Sequence, residues 1–523
     1  MSESEPLELL ETPTRLSKSK VWDLQRTFFA SKGPKAWAEE IVPFGISTNP
    51  KVAESYAHLI VAFLRDCAND GVPLDPEEPV YVVDLGSGSG RLAYLLARAL
   101  GRLQKALPPG LPSTTVVATD FAEANLEWMR AHPAMAPLVE TGAIDFAHFD
   151  AATPGALELV GSGARLETGA IRNPLVVVAN YFFDSIPTDV FRVRKGRLYE
   201  VLVAVGRKPD DGADPTFLEG YDLHLEEQEV VEAPYADPLL NQILEGYRTE
   251  LQSTGLWIPV GSIACLRHFA AFSGEPMLLL LGDKAYRTTS EMEDRPIAYL
   301  ARHGSFSTMV NAHAIEQVAR ARGGFALHAR SADMGFTHSL FLVPGLRDRF
   351  PETALAFATS IDDFGPREAY QLLRQLHNQT DLTPAACLQL IRLSGHDPWA
   401  YSEFGAPLLP AMEYAPPEIT LQVRELLERV AENDYWSGRP SDRFARHLGQ
   451  GYFALGDRKR ALQWYRRSLE RQGPTSQTWL DMAVCLEEVD REGAIAAYRN
   501  ALALDPELEH VKGRLEMLGV GSG

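Results

Sequence analysis

The chain is poor in cysteine: Cys67, Cys265, Cys387 and Cys485 are the only four in 523 residues, and no two form a Cys-x-x-Cys pair. That scatter excludes a disulfide framework and a zinc knot, and the four are expected to be small buried hydrophobes. The 13 histidines fall in no metal-ligand pattern, so no metal site is expected. Long apolar runs are missing too, none approaching the roughly 20 residues a membrane-crossing helix needs. Met1-Ser-Glu-Ser-Glu5 is acidic where a signal peptide would be basic, and a cytoplasmic location is expected. Basic residues are the minority, 50 Lys and Arg against 70 Asp and Glu, for a formal charge of −20. Nucleic acid is therefore not an expected partner, because phosphate neutralisation needs a basic footprint. What remains is ample length with 45% hydrophobic residues, enough for more than one core.

The densest signal lies in Val82-Val-Asp-Leu-Gly-Ser-Gly-Ser-Gly-Arg-Leu92. An apolar strand ends in Asp84 and turns through Gly86, Ser87, Gly88 and Gly90 into a helix. Alternate glycines let backbone approach a ligand where a Cβ would clash. The Gly-Lys-Ser/Thr ending of a phosphate loop is absent. The aspartate ahead of the first glycine and the tight spacing favour S-adenosylmethionine over a dinucleotide. Val116 to Ala118 is a second strand, ending at Thr119 and Asp120, where a carboxylate accepts two ribose hydroxyls. Phe121 is expected on the adenine face. Ile144 to Asp150 is a third strand, with Asp150 as acceptor for the adenine amino group. Leu175 to Ala179 is a fourth, running into Asn180-Tyr-Phe-Phe-Asp184. The expected fold is the doubly wound, Rossmann-like α/β sheet of a class I methyltransferase, with the ligand crevice at the carboxyl ends of these strands.

The hairpin expected next joins Val190–Val193 to Leu198–Val205 through Lys195-Gly-Arg197, followed by a loop at Pro209–Pro215 and a helix at Pro238–Leu251. Pro276–Leu281 is a fifth strand, which makes residues 191–275 an insertion at the carboxyl edge of the sheet. Ala312–Arg322 is a helix, and Phe325–Ala329 and Ser339–Val343 are closing strands. The expected domains are an N-terminal helical or tail segment at 1–43, the α/β domain at 44–345, a helical region at 346–430 and a repeat domain at 431–523. Within the helical region, Trp399–Pro417 reads as a linker or packed loop. Leu448-Gly449, Tyr452, Gly456, Ala461 and Tyr465 recur as Met482-Ala483, Leu486, Ala494, Tyr498 and Ala501, and Asp505-Pro506 closes the unit. A period of about 34 residues with small residues where helices touch is the tetratricopeptide pattern. Arg458, Lys459, Arg460, Arg466, Arg467 and Arg471 make the first copy basic, more in keeping with a solvated face than with a peptide groove.

Residues 44–343 resemble the MidA-like methyltransferases, the group that includes the mitochondrial complex I assembly factor. Gly45-Ile-Ser-Thr-Asn-Pro50 with Tyr56, Asn180-Tyr-Phe-Phe-Asp-Ser-Ile-Pro187, Leu281-Gly-Asp-Lys-Ala-Tyr286 and Phe306-Ser-Thr-Met-Val-Asn311 carry the likeness. It departs where Tyr181 replaces a Glu, Met309 a His and Asn311 an Asp. The resemblance implies methylation of a protein side chain, with arginine as acceptor. A guanidinium nucleophile calls for carboxylates, and Tyr181 removes one, leaving Asp184 with Asp189 or Asp283 in support. Asn180, Tyr181 and Asp184 are the expected catalytic and orienting residues. The expected partner is a peptide or protein, recruited by the repeats. A small-molecule methyltransferase with repeats used for assembly, or a noncatalytic assembly factor, are the alternatives.

Overall fold

The computed structural model describes residues 8–42, 44–106, 110–207, 220–297, 301–303, 305–330, 335–439 and 443–519. The expected loop at Pro209–Pro215 and the acidic start at Met1–Glu5 lie outside them. The chain forms two compact units: Met1–Thr48 with Val52–Arg367, and Asn49–Lys51 with Glu368–Gly523. Residues 346–367 thus group with the α/β unit.

In the first unit, β1 (Glu8–Arg15) is followed by α1 (Val21–Lys32), α2 (Lys35–Ala38) and α3 (Pro50–Asn69). The strands β2 (Val80–Asp84), β3 (Thr114–Asp120), β4 (Ile144–His148) and β5 (Leu175–Asn180) then alternate with helices that include α4 (Arg91–Ala106) and α5 (Glu123–Ala131). The interiors of β2, β3 and β5 are rich in valine, as a strand covered on both faces favours, while β4 reads Ile-Asp-Phe-Ala-His. After the inserted β6 (Asp189–Arg194), β7 (Arg197–Arg207), β8 (Tyr221–Glu229), α6 (Pro238–Glu250), β9 (Ser253–Ile258) and α7 (Val260–Phe269) come β10 (Met277–Asp283), α8 (Ala312–Ala321), β11 (Phe325–His328) and β12 (Thr337–Val343).

The main sheet has the order β11-β12-β10-β5-β2-β3-β4. Its pairs from β10 to β4 are parallel, and β12 runs antiparallel to both neighbours. The chain winds outward from β2 through β3 to β4, then crosses back to β5 on the other side. The order therefore reverses between β2 and β5, and a crevice opens there at the strands' carboxyl ends. β4 stops at His148, so Asp150 stands on the loop beyond it and does not end the strand.

The inserted strands form a second, antiparallel sheet. β7 pairs with β6 through Arg197–Glu200, with β1 through Leu202–Arg207 and with β8 through Tyr199–Arg207, while β9 pairs with β6. The expected hairpin is β6–β7, but β8, β9 and α7 were not anticipated. Nor was β1, since residues 1–43 were expected to be helix or tail. Its Pro13 fits a strand whose register slips between Leu9 and Glu11 and between Glu11 and Thr14.

The second unit is helical. Trp399–Pro417, expected as a linker or packed loop, is packed, with Ala400, Tyr401, Phe404 and Leu408 buried, and much of it is helical. Asp397 accepts the Trp399 N–H at 2.7 Å and caps a helix, Pro398–Phe404, whose first residue is a proline that needs no amide partner. Phe444–Ala454 and Arg458–Gln472 form one helix pair, and Ser476–Leu486 and Arg491–Leu504 a second. A Cβ on Gly449 would fall 2.5 Å from the Tyr465 ring, and Ala483, Ala494, Ala497 and Ala501 are buried. Small residues at these contacts let the backbones close up.

Candidate functional site

A cavity of about 760 Å³ lies at the β2/β5 switch point, within the range of sites that enclose a small ligand. One end is built from backbone. After β2, Gly86 and Gly88 adopt φ of +63° and +57°, conformations that a side chain resists. Ser87 donates its N–H to the Thr119 carbonyl at 2.7 Å and its hydroxyl to Asp84 Oδ2 at 2.7 Å, tying the loop to β3. Asp120 accepts the Gly88 N–H on Oδ2 at 3.0 Å and the Ala122 N–H on Oδ1 at 2.9 Å.

Asp84 and Asp120 are both buried. Burial pushes Asp84 up to about 7, with the charge of Asp120 adding to the rise and the Ser87 hydroxyl opposing it. Burial likewise raises Asp120 to about 6 against its backbone N–H donors. Asp120 lines the cavity, as do Gly86 and Ser87, whereas Asp84, Gly88 and Gly90 are not among its lining residues. Asn125, on α5, is buried and lines the cavity, and its Oδ1 accepts no hydrogen bond from any described residue.

The far end is built from side chains. Asn180 accepts the Tyr56 hydroxyl at 2.7 Å and donates to the Ser47 carbonyl at 2.9 Å, so its amide is anchored on both sides. Tyr181 sits at φ +46°, donates its N–H to the Gly282 carbonyl at 2.8 Å and rests on Phe336. A left-handed tyrosine is a strained residue held by its surroundings. A Cβ on Gly282 would fall 2.5 Å from Asn180 Oδ1, which explains the glycine at that strand end.

Asp184 is buried, takes the Ser185 hydroxyl at 2.7 Å and lies 3.3 Å from the Lys284 ammonium. Its N–H donates to Asp283 Oδ2 at 3.1 Å, and its carbonyl accepts from Thr308. Burial, reinforced by Asp184, drives the Asp283 carboxyl well above the usual range. Asp189, a candidate support, is not at the site: it begins β6 and accepts from Ser17 and Tyr235. Asn311 caps α8, accepting the Ala314 N–H at 2.9 Å.

The N-terminal helices form the third wall, which sequence patterning did not reveal. Arg26 of α1 pairs with Asp150 through both oxygens at 2.7 and 2.8 Å, and its guanidinium lies 4.7 Å over the Phe121 ring. Burial opposes ionisation of Asp150, but Arg26 outweighs it and lowers the carboxyl. Asp150 and Phe121 therefore face the cavity with a partner already on them. A Cβ on Gly88 would fall 2.5 Å from the Trp37 ring, so Trp37 packs on the loop. Phe182 packs likewise on Gly86. Arg26 and Trp37 are single residues outside any motif, and Lys284 lies within the Leu281–Tyr286 segment without being marked there as a site residue.

Residues 164–313 match the model of a family described as "Putative S-adenosyl-L-methionine-dependent methyltransferase". That span includes Asn180–Asp184 and Lys284, and the glycine loop precedes it. Among curated proteins no relative matches. Two solved structures from Burkholderia thailandensis are similar. One, an uncharacterized superfamily protein, is 14% identical with a TM-score of 0.39, over 64% of this chain and 95% of its own. The other, described as a "likely methyl transferase" bound to S-adenosyl-homocysteine, is 15% identical with a TM-score of 0.43, over 67% of this chain and 92% of its own.

Proposed function

We propose that the chain is an S-adenosylmethionine-dependent methyltransferase acting on a peptide or protein side chain. The observation that carries this is a single cavity with the glycine loop and Asp120 at one end and Asn180, Tyr181 and Asp184 at the other, across a strand-order switch. The family match over residues 164–313 supports it. The residues present fit the cofactor: Asp120 and the orphaned Asn125 Oδ1 would take the ribose hydroxyls, and the Gly86–Gly90 backbone would pass the methionyl part. Bound there, S-adenosylmethionine supplies an electrophilic methyl group.

The chain's own work is to hold the acceptor in line with that methyl and to exclude water, which is where most of the rate arises. The Phe182 and Phe149 rings and the α1 wall dry the cavity, and the doubly anchored Asn180 fixes the backbone that carries Tyr181 and Asp184. The helix pairs of the second unit are assigned to tetratricopeptide repeats that recruit the substrate or a partner protein. Calorimetric titration of the full chain with S-adenosylhomocysteine should give one site of micromolar affinity. No binding in the presence or absence of a peptide mixture overturns the reading.

A further inference from the structure

Lys284 follows β10 directly, and its ammonium meets Asp184 Oδ2 at 3.3 Å and the Ser307 hydroxyl. Asp184 is engaged on both oxygens, since Ser185 donates to Oδ1 at 2.7 Å. Its side chain is 5% exposed against 18% for Lys284, so a ligand entering this end meets the ammonium before the carboxylate. An ammonium has three N–H donors, and two are used. Ser307 accepts from Lys284 and keeps its own O–H to give. Two donors therefore face the cavity side by side. Both oxygens of the neighbouring Asp283 accept backbone N–H groups, from Asp184 at 3.1 Å and from Lys284 at 2.8 Å, and Asp283 is fully buried, so it is not presented to a ligand.

A guanidinium has five donors and no acceptor, and here it would set donors against donors beside a like charge. A carboxylate is acceptor-only, and its two oxygens match the two donors. We propose that Lys284, with Ser307, is the selectivity determinant of the site, and that it binds a carboxylate of the methyl acceptor. This rests on the methyltransferase reading, and it turns the acceptor from arginine to a carboxylate-bearing group. The cofactor's methionyl end also carries a carboxylate. Its place by the glycine loop on β2 is two strands from β10, so the acceptor is the source assigned here.

The test uses the full chain saturated with S-adenosylhomocysteine and titrated with glutarate, its uncharged isostere glutaramide, and agmatine. Glutarate should bind on the order of 10-fold more tightly than glutaramide, as a charge-assisted contact implies, and agmatine most weakly. Lys284→Met should bring glutarate down to the level of glutaramide, while Lys284→Arg keeps most of the preference. Because Lys284→Met strands a buried Asp184, the double variant with Asp184→Asn provides the same comparison in a neutralised site. Agmatine binding as well as glutarate, or glutarate affinity unmoved by loss of Lys284, overturns the proposal. If Lys284→Met instead abolishes S-adenosylhomocysteine binding, the carboxylate belongs to the cofactor and the acceptor assignment falls alone. Wild-type protein that never binds S-adenosylhomocysteine brings down the methyltransferase reading and this one together.

Discussion

The two ends of the cavity are held by different means. At the glycine loop, buried Asp120 is held mainly by main-chain N–H groups of Gly88 and Ala122, with the Asn125 side chain in addition, so its position follows largely from the fold of the turn. At the far end, the Asp184 carboxylate is met by the Lys284 and Ser185 side chains, and Asn180 by the Tyr56 hydroxyl together with the Ser47 carbonyl, so most of these contacts come from side chains that substitution can exchange. Backbone scaffolding suits a ligand that never varies. Side-chain scaffolding suits one that selection can retune without rebuilding the sheet.

The strongest way to break this contrast is Gly88→Val. A Cβ there meets Trp37 at 2.5 Å and forces a β-branched residue to φ +57°. Affinity for S-adenosylhomocysteine should fall by about 100-fold or more, and the melting temperature should fall with it, since strain at a fixed turn costs on the order of 1–3 kcal/mol. Unchanged calorimetry would move the cofactor away from this loop.

Asp184→Asn probes the other end. Turnover should fall roughly 10- to 100-fold as Lys284 loses its anchor, with S-adenosylhomocysteine affinity within about twofold of wild type, the pattern of a group that acts on the reacting complex. Equal losses in both would make Asp184 a structural residue.

The smallest effect is expected at Arg26, whose side chain meets Asp150 and Phe121, the two residues expected on the adenine from sequence. Arg26→Ala frees Asp150 and the Phe121 face. A partly exposed ion pair is worth little, so the affinity for S-adenosylhomocysteine should rise by about 2- to 5-fold. A fall would show instead that Arg26 holds the cofactor.

The parts of the fold legible in sequence were those with one dominant physical cause. β2, β3, β5 and β10 are near-continuous apolar runs ending in Asp, Asn or Gly, and burial on both faces leaves such runs few other conformations. The second sheet was harder. β8 reads Tyr-Asp-Leu-His-Leu-Glu-Glu-Gln-Glu, largely polar, and β1 carries a proline; both take their conformation from β7. Tertiary pairing outweighs weak local preference there. At the site, residues one strand end apart could be grouped from the order of the strands. Arg26 could not, because its meeting with Asp150 is a contact 124 positions apart that leaves no local pattern. Lys284 follows the strand end at Asp283, but its ion pair with Asp184, 100 positions away, is not marked by either segment alone.

The α1 wall has a consequence for the order in which the molecule is assembled during translation. β1 waits for β7, made nearly two hundred residues later, and the Gln25 amide waits for the Phe306 carbonyl, 281 positions downstream, at 2.9 Å. Closing loops of that length is slow, and the waiting strand is an unpaired edge meanwhile. The Gln25 contact of α1 can therefore form only once Phe306 has been made, by which point the strands β2 to β5 and β10 of the parallel sheet are all available.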